Sequence, residues 1–215
     1  MQSTDQDPTP PRAAVTLGHA HLEALETYWR SLGADRGIPA RTDLNPAQIE
    51  TVLPYAFILQ RVAAGTARFR VAGQRVHDLL KMDPRGMPFS TLFQPEDHQD
   101  LRHLLESAFQ DPAIVGLPLR APGGLVRPAL DAALLMLPMR DNAGDTSRLL
   151  GALVTPDHPA LKPHRFAIRR DIRSRHERLA TPGPALVPLM SRQPPRDKGP
   201  DTPKRPALRL VVNNG

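Results

Sequence analysis

The chain has 215 residues, a mass of 23.7 kDa and a formal net charge of +6, from 28 Lys+Arg against 22 Asp+Glu. It contains no Cys, which excludes disulfides, thiolate metal centres, a Cys nucleophile and a flavin–cysteine adduct. Prolines number 25, about twice the usual share of ~5%, so part of the chain is expected to lack a packed core. The start, Met1-Gln2-Ser3-Thr4-Asp5, has neither a basic region nor an apolar run, so no signal peptide is expected. No stretch approaches the ~20 apolar residues of a membrane helix. The expected localisation is cytoplasmic.

Charge and proline are unevenly placed. Residues 1–154 hold 15 Lys+Arg and 17 Asp+Glu, whereas residues 155–215 hold 13 and 5 together with 11 of the 25 prolines. Residues 181–206 (TPGPALVPLMSRQPPRDKGPDTPKRP) lack apolar periodicity. Such a segment cannot bury enough surface to offset its ordering entropy. The expected organisation is a disordered start over 1–17, one domain over 18–155, a basic linker or helix over 156–180, and a disordered proline-rich tail over 181–215. Within that tail, Ala207–Val212 (ALRLVV) reads as a short strand motif able to join a sheet edge.

Residues 19–32 form the first predicted helix. Leu22, Leu25, Trp29 and Leu32 follow a 3-4-3 spacing on one face, with Glu26 and Arg30 as an i,i+4 pair elsewhere. That face packs on its own domain or serves as a dimer seam, and spacing alone does not choose. An extended linker, Gly37–Pro46, ends in a helix start with Asn45 as N-cap and Pro46 at the first position, opening a helix over about 46–52. Tyr55–Val62 and Arg68–Ala72 read as strands joined by a turn at Ala63-Ala64-Gly65-Thr66, with Phe69 and Val71 assigned to one face. A short helix follows over Gln74–Leu80, and then a turn at Phe89–Phe93. Pro95-Glu96-Asp97-His98 opens a helix to about Gln110, its acidic pair favoured by the helix dipole. Three strands are predicted at Ala113–Arg120, Ala129–Arg140 and Arg148–Val154. The order implies an α+β fold, an antiparallel sheet with helices on one face.

This order resembles a PAS domain. The hairpin over Tyr55–Ala72, then Gly73, the short helices, the Pro95-Glu96-Asp97 helix start and three closing strands follow the PAS plan. The set Trp29, Pro39, Arg41, Asp43, Pro46 and Gly73 is similar to the signature of small bacterial single-PAS proteins, long classed as a domain of unknown function. The resemblance covers about residues 19–155. It implies a five-stranded antiparallel sheet and an apolar pocket, for which Phe57, Leu59, Phe69, Val71, Val76, Leu80, Leu101 and Leu105 are the candidate lining. It also implies a sensor or adaptor in signal transduction that dimerises, with Leu22, Leu25, Trp29 and Leu32 as candidate seam. With no catalytic output domain recognisable in the last 61 residues, a non-enzymatic protein acting through an unidentified protein partner is expected.

No cofactor is predicted. His77, His98 and His103 fall on helical pieces where some PAS domains hold haem. His103, however, lies about 200° from Leu101 around the helix, and all three read as surface or structural residues. Haem and noncovalent flavin stay open on composition. No metal site is predicted: His19 and His21 are expected on opposite sides of a helix, and His158 and His164 stand isolated among prolines. No Gly-x-Ser-x-Gly context supports a hydrolase. Arg41 and Asp43 either bind a partner or serve the linker; an Arg there is expected to satisfy loop carbonyls or a carboxylate such as Glu50. Residues 161–179, with Lys162, Arg165, Arg169, Arg170, Arg173, Arg175 and Arg178, read as a basic amphipathic helix carrying Ile168, Ile172 and Leu179 on one face and Phe166 to the side. Such a helix suits an acidic partner, anionic lipid or nucleic acid, of which nucleic acid is the weaker match for want of interleaved aromatics.

Overall fold

A computed structural model describes residues 15–34, 37–124, 128–156 and 163–179. The proline-rich tail and its strand motif at 207–212 lie outside the described residues, as do residues 1–14. Helix α1 spans Ala20–Gly33, starting where the His19 ring accepts from the His21 amide. Two 3₁₀ turns, Arg41–Asp43 and Pro46–Ile49, make up the linker. Asn45 caps the second, accepting from the Ala47 amide at 3.1 Å, in place of the longer helix expected. Strands β1 (Ala56–Ala63) and β2 (Thr66–Ala72) form the hairpin, followed by α2 (Gln74–Leu80) and the 3₁₀ turns Phe89–Leu92 and Pro95–Asp97. Helix α3 (His98–Gln110) leads into β3 (Ala113–Ala121), β4 (Leu130–Arg140) and β5 (Thr146–Val154).

The strand order is β2-β1-β5-β4-β3, antiparallel throughout. Two further short strands, β6 (Ala167–Ile168) and β7 (Arg175–Arg178), both pair with the outer edge of β3 and bring the sheet to seven strands. The basic segment, expected as a linker or helix, therefore forms an extended edge closure over these residues. Unpaired strand edges are open to any chain that can donate and accept, and here residues 167–168 and 175–178 take that place.

Both faces of the sheet are covered. The inner face, under α2 and α3, collects Leu59, Phe69, Leu117, Leu134 and Phe166. The outer face, under α1 and the linker, collects Leu135, Leu137, Met139, Leu150 and Val154 with Leu22, Leu25 and Trp29. Strands β4 and β5 are consequently buried on both alternations, which is why their sequences are almost continuously apolar. Val15 and Leu17, in the stretch expected to be disordered, also pack against the outer cluster.

Gly73 sets the corner between β2 and α2. Its amide donates to the Ala56 carbonyl at 2.8 Å, and a Cβ there would lie 2.0 Å from the Leu53 carbonyl oxygen and 2.5 Å from that of Pro54. Backbone atoms cannot step aside as a flexible side chain can. Gly73→Ala is expected to cost about 1–3 kcal/mol or more, read as a lower urea midpoint at unchanged slope.

Candidate functional site

The pocket candidates converge. Phe57, Leu59, Phe69, Val76, Leu80, Leu101 and Leu105 are all buried in the inner cluster. They do so around two rings that sequence periodicity did not single out, Phe89 and Phe93, both fully buried. Phe57, Phe69 and Phe89 stand 5.5–5.6 Å apart centroid to centroid, and Phe93 lies 5.3 Å from Phe89. Most of these contacts are edge-to-face or tilted, the geometry aromatic pairs prefer. The Phe57 ring also fills the space over its cross-strand partner Gly151, where a Cβ would meet it at 2.3 Å.

Val71 does not belong to this group. It pairs with Ile58, while the next pair is Leu59 with Phe69, so Arg70 is an extra residue on β2. That bulge breaks the alternation placing Phe69 and Val71 on one face. Val71 emerges half exposed.

The seam candidates are also reassigned. Leu22, Leu25 and Trp29 are buried against the chain's own sheet, Leu32 is partly buried there, and the Trp29 indole donates to the Pro138 carbonyl at 2.9 Å. The outer faces of β4 and β5 need a cover, and α1 supplies it. The linker signature is mostly structural. The Pro39 carbonyl accepts from the Arg140 amide at 2.9 Å, Asp43 accepts from the Ala40 amide at 2.9 Å, and the Tyr28 hydroxyl accepts from the Asn45 amide at 2.6 Å. Arg41 differs: it is exposed, and its side chain makes no hydrogen bond or ion pair to Glu50, to loop carbonyls or to any other described residue.

The histidines stay outside the core of the pocket. His103 is exposed, His98 contacts the Ser90 carbonyl at 3.1 Å, and His77 sits 3.9 Å from Asp83. His19 and His21, expected on opposite sides of a helix, instead have ring centroids 5.1 Å apart because His19 precedes the first turn. Burial, then the neighbouring His19, holds the His21 imidazole below its ordinary pKa. No group of three or more His, Asp or Glu side chains placed to hold a metal ion occurs among the described residues. A surface groove of about 610 Å³ runs between the hairpin tip and α3, lined by Gly65, His98, Arg102, His103 and Glu106. Glu106 is already engaged there by Arg61 at 2.8 Å and by the Gly65 amide.

The edge closure is held by charge. Asp97, of the Pro-Glu-Asp helix start, is buried; it accepts from the Ile168 amide at 2.9 Å and pairs with Arg170 at 2.7 Å. Arg170 also reaches Asp100 at 2.5 Å, and Arg169 pairs with Asp131 and Asp171. Phe166, read from the sequence as lying to the side of a helix, is wholly buried, its amide donating to the Leu92 carbonyl at 2.8 Å. Beyond it, Arg175 grips both carboxylate oxygens of Glu26 at 2.6 and 2.8 Å and also pairs with Glu177, while Arg30 joins Glu26 and Glu177. This clasp ties α1 to β7 across 149 residues.

Burial pushes the Glu26 pKa up, but hydrogen bonds from Arg175 and then Arg30 outweigh it and hold the carboxyl below its ordinary 4.5. Glu177 is lowered as well, by Arg175 first and then Arg30. A carboxylate more acidic in the folded state stabilises the fold above its unfolded pKa and stops doing so as the pH falls through the folded value. The clasp contributes in full above about pH 4.5 and is lost below it. Because these side chains are partly exposed, each pair is worth about 0.3–1 kcal/mol. Glu26→Gln is expected to lower Tm by roughly 2–4 °C at pH 7, with the gap to the natural chain closing in acid and in ~1 M salt.

A family model for the PAS domain matches residues 17–154. Among solved structures, the light state of the LOV domain of the blue-light photoreceptor Aureochrome1 matches at 13% identity and a TM-score of 0.38, over 54% of this chain and 90% of that one. No curated protein matches the chain.

Proposed function

Because this chain belongs to the PAS domain family over residues 17–154, whose members serve in sensory and regulatory signalling, we propose that it is a non-enzymatic regulatory protein that signals through contacts with protein partners, a second copy of itself among them. The observation that carries this reading is the packing of the inner cluster. Four phenylalanine rings contact one another where the family resemblance implies a ligand pocket. An interior filled by its own side chains leaves recognition to the surface.

A role for residues 161–179 at nucleic acid or membrane has less support. Of its described arginines, Arg169, Arg170 and Arg175 are each held by carboxylates of the same chain. A cation already neutralised within the fold releases few counterions on binding a polyanion.

The test is an absorbance spectrum of the purified full chain, followed by denaturing extraction and mass spectrometry, with light scattering on the same sample. An empty protein that self-associates or binds a defined signalling protein is the expected result. A chromophore or small molecule recovered in near-stoichiometric amount would overturn it and make the protein a ligand sensor.

A further inference from the structure

We propose that Arg41, Arg70 and Arg148 form a receptor for an oxyanion, a phosphate or carboxylate group, on the outer face of the sheet. Three separate elements deliver the three side chains. Arg148 pairs with Gln60 of β1 and Met139 of β4, and Met139 belongs to the outer cluster, so Arg148 points outward. Arg70 is the extra residue of the β2 bulge, beside the half-exposed Val71. Arg41 opens the 3₁₀ turn that follows the bridge between Ala40 and Arg140 at the end of β4.

The cluster is electrostatically unsatisfied. Arg148 is only partly exposed, and its Nη1 is cut off from solvent with no hydrogen-bond partner. Burial, then Arg70, depress its pKa; Asp141 acts the other way, and Arg41 depresses it further. Asp141 is the only carboxylate acting on Arg148 among the described residues, and its oxygens are committed to the Ser147 hydroxyl at 2.5 Å and to the Ala143 and Asp145 amides. The side chains of Arg41 and Arg70 make no hydrogen bond or ion pair with another described residue. By contrast, Arg61, Arg120, Arg169 and Arg175 each have a carboxylate within the fold.

Like charges converging on a partly desolvated donor are unfavourable until an anion arrives, and the low local dielectric then strengthens its attraction. Guanidinium forks match carboxylate and phosphate oxygens in bidentate geometry, which ammonium groups do not. The chain's own residues 155–215, with 13 Lys+Arg against 5 Asp+Glu, have the wrong sign to be the occupant. The proposed oxyanion is that of a free phosphate compound or of the acidic segment of a partner.

Isothermal titration at low ionic strength tests the site on the full chain, with inorganic phosphate and a hexaglutamate peptide as probes. The natural chain is expected to bind at least one of them. Arg148→Met and Arg70→Gln are each expected to weaken that binding at least tenfold, whereas Arg173→Ala, an exposed arginine elsewhere, leaves it unchanged. Arg148→Met is also expected to melt no lower than the natural chain, since it removes a cation that the fold does not satisfy. Arg70→Gln, at an exposed position, serves should Arg148→Met fail to fold. Binding of phosphate alone identifies a small oxyanion as the occupant, and binding of the peptide alone identifies a partner segment. Binding of neither probe, or binding undiminished in the folded variants, would overturn the proposal.

Discussion

Trp29→Ala is expected to destabilise the protein by about 3–5 kcal/mol, a fall in Tm of roughly 6–20 °C in a calorimetric or circular-dichroism melt. The indole is 2% exposed, packed among outer-face residues of β4 and β5, and it donates to the Pro138 carbonyl across 109 residues. Truncation removes that apolar contact, leaves a cavity between helix and sheet, and orphans a buried carbonyl. Trp29→Phe keeps most of the buried area and loses only the N–H, at about 1 kcal/mol. The loss should be the same at every protein concentration, because the contact lies within one chain. A deficit that disappears at high concentration would instead place Trp29 between copies, since only association makes Tm depend on concentration.

This distinction marks where sequence reasoning reached and where it stopped. The apolar stripe of Leu22, Leu25 and Trp29 is the same whether it covers the chain's own sheet or a second copy. The deciding signal was elsewhere. Residues 133–139 and 149–154 are apolar at consecutive positions, so both faces of β4 and β5 need a cover, and the helices after β2 can supply only one. Local chemistry was legible in the Asn45 cap, though not in the length of the turn it opens, at the Gly65 turn and over Gln74–Leu80, since cap, turn and short amphipathic helix depend on neighbours in sequence. The bulge at Arg70 was not, because an extra residue on one strand is defined only by its partner strand. Residues 161–179 misled for a related reason. Ile168, Ile172 and Leu179 imitate a helical face, yet the open edge of β3 and the carboxylates of Asp97 and Glu26, 71 and 149 residues away from their partners, decide the conformation. Arg41 stood out in the linker, but that its charge acts on Arg148 of β5 while its side chain leaves Glu50 unpaired is a fact of tertiary structure.

The inner cluster is the other place where a single side chain carries much of the fold. Phe89→Ala is expected to cost about 3–5 kcal/mol. Phe89 is the one ring in contact with all three of Phe57, Phe69 and Phe93, so its removal takes the centre out of the aromatic group. The turn that carries it, Phe89–Leu92, is short, and Pro88 fixes its entry, so the backbone has little freedom to collapse into the gap. Apolar voids of this kind stay dry and accept small apolar molecules. Benzene should therefore raise the Tm of Phe89→Ala and leave that of the natural chain unchanged. That result would show that the space implied for a ligand is occupied by phenylalanine in the natural chain, and that one substitution turns a packed interior into a ligand-binding one. An equal response of both proteins to benzene would mean that the natural interior already holds room for a guest, and would move the proposed function from partner docking to sensing of an apolar ligand.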